Sequence, residues 1–384
     1  MVCISIGKID KNIITIILGC IICFGNRLLN QYDGTLLFDN VILTVMCISM
    51  SRFIAVIPFI IIKIRNKQLN KINIKNEDIL KSFMKKNDEI IKYKWSFILF
   101  SGVIFFIQLF FLVLTFKTKT NSWIWYILIS SLFYYLFFKV KLYKHHYLSA
   151  ILIILIGFII DLVTGHLQND IKYNLLFLIF KYLKEILFSL YNVLAKYVME
   201  KKYISVYEFS FYIGLINIIL SNIYLVFDYY FFNQYNYKEY FDKFNTTELL
   251  VMLGVIFTQF GINITTLFTT KNSSPCHVFI IFVFGQLAYY TQFEEYFILV
   301  IICLIFILFL ALIFNEIIEI NIFGLSYNTR RNIVNRANGE NDYIRKREYS
   351  EAIIEKDEYL IELNEEENSK EYEARRTKTS STFN

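Results

Sequence analysis

From Asn12 to Ile320 the chain alternates between long apolar runs and short polar stretches. The runs extend from Asn12 to Leu29, Leu36 to Ile64, Trp95 to Phe116, Ser122 to Val140 and Tyr147 to Gly165. A second set runs from Tyr173 to Met199, Tyr203 to Phe231, Leu249 to Thr269, Cys276 to Tyr290 and Tyr296 to Ile320. A helix rising 1.5 Å per residue needs roughly 20 apolar residues to cross a ~30 Å hydrocarbon core, and most of these runs meet that length. They are continuously apolar and do not alternate with period two, which favours helices over barrel strands. The pattern predicts an all-α integral membrane protein with ten transmembrane helices, in contact with a lipid bilayer.

Composition agrees. The 384 residues are 56% hydrophobic with only two prolines, and mean hydropathy is +0.47, above the roughly 45–50% apolar content of soluble domains. The net charge of +6 is spread along the chain and gathered on no single domain, so nucleic acid is not an expected partner. Its distribution reads instead as topology. Lys63, Arg65, Lys67, Lys71, Lys75 and further lysines follow the second run. Lys139, Lys141 and Lys144 follow the fourth, Lys201 and Lys202 the sixth, and Lys271 the eighth. Under the positive-inside rule these loops are cytosolic, and an even number of spans places both termini there too. Lys117 and Lys119 are the main exception. Asn245-Thr246-Thr247 is a glycosylation sequon in the opposite set of loops, with Asn245 the acceptor, whereas Asn272-Ser273-Ser274 lies on the cytosolic side. The first run lacks a small-x-small cleavage site and reads as a signal anchor. The expected divisions are a cytosolic N-terminus (1–11), a first half (12–165), a second half (171–320) and a charged cytosolic tail (326–384). The tail mixes Arg330, Arg331, Arg336, Arg345 and Arg347 with many acids, and it reads as solvated, with its basic part able to meet anionic lipid.

The chemistry sits in polar residues inside the runs. An ionisable group at membrane depth costs about 2.5–3.5 kcal/mol on insertion scales, so it is expected to face a cavity or a partner. In the sixth run Lys181, Glu185, Ser189, Asn192 and Lys196 advance by three or four and share one helix face, with Lys184 adjacent. The spacing suits a lined cavity. It also suits a Lys181–Glu185 pair with Lys196 reaching an interface. In the eighth run Thr258, Gln259, Asn263, Thr266 and Thr270 form a second stripe, compatible with either a cavity or helix–helix hydrogen bonding. Arg52, beside Ser49 and Ser51, falls near the centre of the second run. A guanidinium there suits an anionic solute or a carboxylate such as Glu185 or Asp161. Asn26, Gln108, His277 and Gln286 are weaker candidates. Of the six cysteines, Cys20 and Cys23 are spaced as a redox pair, yet inside an apolar run no disulfide or metal role is expected. Four histidines are too few for a membrane di-iron enzyme, and no phosphate loop, nucleophile elbow or zinc motif is present. No enzyme, cofactor or metal is expected; a membrane enzyme would depend on His166 or His277.

Ten spans divided five and five, with both termini cytosolic, resemble the drug/metabolite transporter superfamily, which includes nucleotide-sugar, triose-phosphate and chloroquine-resistance-type carriers. An odd number of spans per half makes the halves two inverted repeats. Phe137-Phe138-Lys139-Val140-Lys141-Leu142, then Tyr147-Leu148-Ser149-Ala150 and Ile156-Gly157, resemble its join between spans four and five. Ser274-Pro275 and Glu294-Glu295 resemble the join between nine and ten. Tyr191-Asn192-Val193-Leu194-Ala195-Lys196-Tyr197 is similar to solute-carrier family 35 members. The basic pairs that triose-phosphate carriers place late in the chain are not evident, and Asn315-Glu316-Ile317-Ile318-Glu319-Ile320-Asn321 has no counterpart. The resemblance implies a secondary transporter in the Golgi, ER or another endomembrane. It would move a small organic solute, such as a nucleotide sugar or related anionic metabolite, by alternating access. It implies substrate binding by Arg52, Lys181, Glu185, Asn192, Gln259 and Asn263. Alternatives are an amino-acid, peptide or drug carrier of the chloroquine-resistance type, or a non-transporting scaffold acting through its tail. Dimerisation is left open.

Overall fold

The computed structural model describes residues 4–6, 11–32, 41–73, 93–115, 121–140, 142–164, 175–202, 204–231, 246–290 and 297–320. The Asn245 acceptor and the 326–384 tail lie outside them. Every apolar run carries a helix: α1 (Lys11–Tyr32), α2 (Val41–Phe53), α3 (Val56–Asn73), α4 (Lys94–Leu114), α5 (Trp125–Phe138), α6 (Lys144–Val163), α7 (Leu175–Lys201), α8 (Val206–Phe231), α9 (Thr246–Asn272), α10 (Val278–Tyr290) and α11 (Phe297–Phe314). Single 3-10 turns, Ser122–Ile124 and Pro275–His277, lead into α5 and α10. Five helical stretches are long and apolar enough to cross a membrane: Thr44–Arg65, Lys94–Leu112, Lys144–Val163, Val206–Phe227 and Leu249–Asn272. Ile13–Leu28, Ser122–Phe138, Pro275–Ala288 and Ile298–Phe314 are apolar but shorter. α7 is 27 residues long but carries the charges of the Lys181–Lys196 stripe. Large side chains such as Ile14, Ile21, Leu155, Phe158, Ile298 and Phe306 stand exposed on the outer faces of α1, α6 and α11. Apolar patches on that scale suit a lipid environment and not water.

Two compact units are distinguished. The larger takes in Gly7–Leu142 and His146–Asn315. In it, helices distant in sequence are neighbours: α1 packs on α9 and α10, α2 on α8 and α9, α4 on α7 and α8, and α5 on α7. Its apolar centre gathers Ile98, Phe105, Tyr191, Leu194, Phe209 and Ile213. Closest approach is governed by glycine. A Cβ at Gly214 would stand 2.5 Å from the Phe53 backbone nitrogen and 2.9 Å from the Arg52 carbonyl carbon, so only hydrogen lets α8 lie against α2 there. Gly157, in the stretch that resembles the carrier join, meets the Ile124 side chain in the same way.

The second run is one apolar span but two helices. Pro58 has no N–H for the Ile54 carbonyl, and its ring crowds that oxygen. The Ile54 carbonyl accepts from Ile57 N–H at 3.1 Å instead, and Ala55 N–H reaches the Arg52 carbonyl at 3.1 Å, so two tight turns replace one helical turn. The tenth run also departs from expectation. Helix α11 ends at Phe314, six residues short of Ile320, and Glu316 adopts a left-handed φ of 57°.

The smaller unit takes in Met1–Ile6, Tyr143–His145 and Glu316–Asn384. In it β1 (Ile4–Ile6) pairs antiparallel with β2 (Ile318–Ile320), Ser5 opposite Glu319. His145 Nε2 lies 3.2 Å from Glu316 Oε1. This two-stranded ladder is the one described departure from an all-helical chain.

Candidate functional site

Arg52 sits in the last turn of α2, just before the break. Its side chain is 3% exposed. Nη1 donates to Tyr191 Oη on α7 at 2.6 Å. The guanidinium carbon lies 3.8 Å above the centroid of the Phe105 ring on α4 and 5.2 Å from that of Tyr191. Nε is buried without a hydrogen-bond acceptor. Among the described residues no carboxylate comes within ion-pair distance of it.

The carboxylate partners expected for Arg52 are engaged elsewhere. Glu185 accepts from Ser122 Oγ at 3.1 Å and pairs with Lys184 Nζ at 2.7 Å. Asp161 accepts the Asn121 backbone N–H at 2.9 and 3.1 Å and the Asn121 amide at 2.7 Å, holding the start of the 3-10 turn before α5. The aromatic faces and a phenol therefore replace a counter-ion. A cation–π contact contributes about 0.5–2 kcal/mol and a hydrogen bond to a charged group about 1.5–3 kcal/mol. The C-terminal end of α2 adds a favourable partial charge of the kind worth about 0.3–1 kcal/mol. None of these supplies a full negative charge.

The α7 stripe faces inward as its spacing predicts: Lys181, Glu185, Ser189, Asn192 and Lys196 are all buried. Its members have different occupations. Glu185 is ion-paired with the adjacent Lys184. Asn192 Nδ2 donates to Tyr126 Oη at 3.1 Å, and Tyr126 donates to the Pro275 carbonyl at 3.0 Å, joining α7, α5 and the turn before α10. Lys196 Nζ donates to the carbonyls of Thr270, Lys271 and Ser273 at 3.2, 3.1 and 3.0 Å and pairs with Glu200 at 2.7 Å. It caps the C-terminal end of α9, where orphan carbonyls and the helix dipole both favour a cation.

On α9, Asn263 donates to Ser51 Oγ at 3.0 Å, beside Arg52 in sequence, and Thr258 donates to Asn26 Oδ1 at 2.7 Å. Gln259 is partly exposed. The structure thus sets Asn263 against Ser51 and Arg52 against Tyr191 at the end of α2, while Asn192 turns to Tyr126 on α5. Lys181 is not part of this group: Tyr191 lies ten residues beyond it on α7, about 15 Å along the axis at 1.5 Å per residue. Tyr191, Phe105 and Tyr126 carry the site's geometry but were not singled out from the sequence, because aromatic residues are common in every apolar run. Cys20 and Cys23 are free and buried, Cys23 Sγ filling the space over Gly285 on α10.

No protein-family model matches the chain, and no curated protein matches it.

Proposed function

We propose that the chain is a secondary transporter that moves a small anionic organic solute across an endomembrane by alternating access. In this reading ten membrane helices form two inverted five-helix repeats with both termini in the cytosol. The observation that carries it is Arg52, a buried guanidinium at a helix break with no carboxylate opposite it among the described residues. An uncompensated buried charge is costly, of the order of 3–5 kcal/mol when a partner is removed, so evolution has reason to keep one only where a ligand supplies the missing charge. Broken helices with exposed backbone groups near the span centre are also where carriers bind their cargo. The pairing of early with late helices supports the reading further, since a site between two halves needs walls from both. The carrier resemblance of the joins at Phe137–Leu142 and Ser274–Pro275 points the same way.

The decisive experiment is counterflow uptake by purified protein in liposomes, over labelled nucleotide sugars, sugar phosphates, carboxylates and amino acids. Exchange of one anionic class that collapses in Arg52→Ala is expected. Lys181→Ala, removed from the Arg52 site, is expected to retain exchange at reduced rate. Absence of exchange of every solute by well-folded protein would refute the carrier and turn attention to the charged tail as a docking segment.

A further inference from the structure

Buried polar atoms without partners are rare in native proteins, and each calls for a water, an ion or a ligand. Three helices that pack on one another, α2, α4 and α8, carry a group of them: Arg52 Nε on α2, Gln108 Oε1 on α4, and both Nδ2 and Oδ1 of Asn217 on α8. Gln108 and Asn217 are themselves 5% and 0% exposed.

Their relative heights follow from the α4–α8 register. Lys94 pairs with Glu208 at 3.0 Å, the Gly102 position meets Ile216, and the Phe110 ring lies 5.5 Å from that of Tyr224. Each partner on α8 is numbered 114 above its neighbour on α4, so the helices run parallel in constant register. Asn217 is therefore level with Val103, and Gln108 stands about 7.5 Å further along the axis at 1.5 Å per residue. The guanidinium over Phe105 sits between those two levels. Gly214, one turn before Asn217, lies against the Arg52 backbone, which brings Asn217 to the same three-helix contact.

We propose that Arg52, Gln108 and Asn217 form a subsite for a compact hydroxycarboxylate. The inference rests on the carrier reading and names its substrate class. Arg52 supplies one positive charge and an unused donor, which a single carboxylate satisfies. Gln108 Oε1 can only accept, so its partner must donate, and Asn217 asks for one donor and one acceptor. A carboxylate with a hydroxyl on the neighbouring carbon supplies acceptors for Arg52 Nε and Asn217 Nδ2 and one donor, to Gln108 Oε1 or Asn217 Oδ1; a second hydroxyl, as in glycerate, supplies the other. A fully ionised phosphate offers acceptors alone and leaves Gln108 unmet. A diphosphate brings more charge than one guanidinium balances, and an amino-acid zwitterion brings a second cation with no carboxylate among the described residues to receive it. The aromatic walls of Phe105 and Tyr191 exclude water and strengthen each contact.

The test uses the full chain in liposomes and detergent, with lactate and glycerate against propionate, alanine and UDP-glucose as probes. Counterflow and ligand-induced melting shifts are read together. Wild-type protein is expected to favour the hydroxy acids over propionate at least tenfold, because a site built to bond a hydroxyl rejects the analogue that lacks it. Gln108→Leu and Asn217→Leu should bring that ratio to within about threefold. Gln108→Glu, which gives Arg52 a counter-ion, should raise the melting temperature of the free protein and abolish exchange. An unchanged ratio in both leucine variants, or a lowered melting temperature in Gln108→Glu, overturns the subsite. Arg52-dependent exchange of UDP-glucose or alanine in preference to lactate overturns the subsite and leaves the carrier standing. No exchange and no melting shift with any probe, from protein that melts cooperatively, removes both.

Discussion

At the scale of single residues, the difference between Arg52 and Lys196 shows how a buried cation can serve structure or wait for a ligand. Lys196 has three carbonyls and Glu200 around its amino group. Replacing it by Met leaves those carbonyls and a carboxylate without their donor. Lys196→Met is expected to cost about 1–3 kcal/mol, seen as a lower melting temperature in detergent, with solute preference unchanged in competition assays. Tyr191→Phe should behave differently. It frees Nη1 of Arg52, which destabilises the empty protein but leaves an additional donor for an anion. The melting temperature without solute is therefore expected to fall while the shift caused by a bound anion grows; a shift that shrinks instead would make Tyr191 a direct ligand. The exposed contrast also bears on what a sequence can reveal. Depth in an apolar run marks Arg52 as unusual, but its bond to Tyr191 crosses 139 positions, and no local period contains that. Helical spacing points from Lys181 to Glu185 and says nothing of the pair that Glu185 forms with the adjacent Lys184.

At the scale of elements, the helices were legible because bilayer thickness imposes a length on every run. The interruption at Ile54–Ala55 is hidden from hydropathy, although Pro58 is one of only two prolines, because a span that stays apolar across a proline keeps its hydropathy. The β1–β2 ladder was hidden for another reason: Ile4 pairs with Ile320 from the far end of the chain. The break at Pro58 gives the element its prediction. A proline inside a helix costs about 3 kcal/mol, and Pro58→Ala restores an N–H that can reach the Ile54 carbonyl. Straightening α2 into α3 would reclaim the Arg52 carbonyl from Ala55 and turn the guanidinium away from Phe105. The variant should melt at a higher temperature yet exchange solute more slowly. A stabler protein with full exchange would mean that the break is incidental to the site.

At the scale of the whole membrane unit, α1, α2, α4 and α5 of the first half have extensive contacts with helices of the second half. α1 lies on α9 and α10, and α4 on α7 and α8. The buried faces of α1 and α4, with Cys20, Cys23, Ile98 and Phe105, are shaped to partners that the second half provides. Helix association in lipid depends on such close van der Waals fit and on interhelical hydrogen bonds like Thr258–Asn26 and Asn263–Ser51, since lipid offers no hydrophobic drive of its own. A chain cut between residues 165 and 174 keeps every one of these contacts available. Expressed alone, residues 1–168 should aggregate in detergent or be degraded, because the α1 and α4 faces lack their cover. Co-expressed with residues 169–384, the two fragments should co-purify as one species by size-exclusion chromatography and recover solute exchange in liposomes. Independent folding of either fragment, judged by a monodisperse peak and a cooperative melt, would mean that packing within each half is sufficient and that the cross-half contacts are a late docking step.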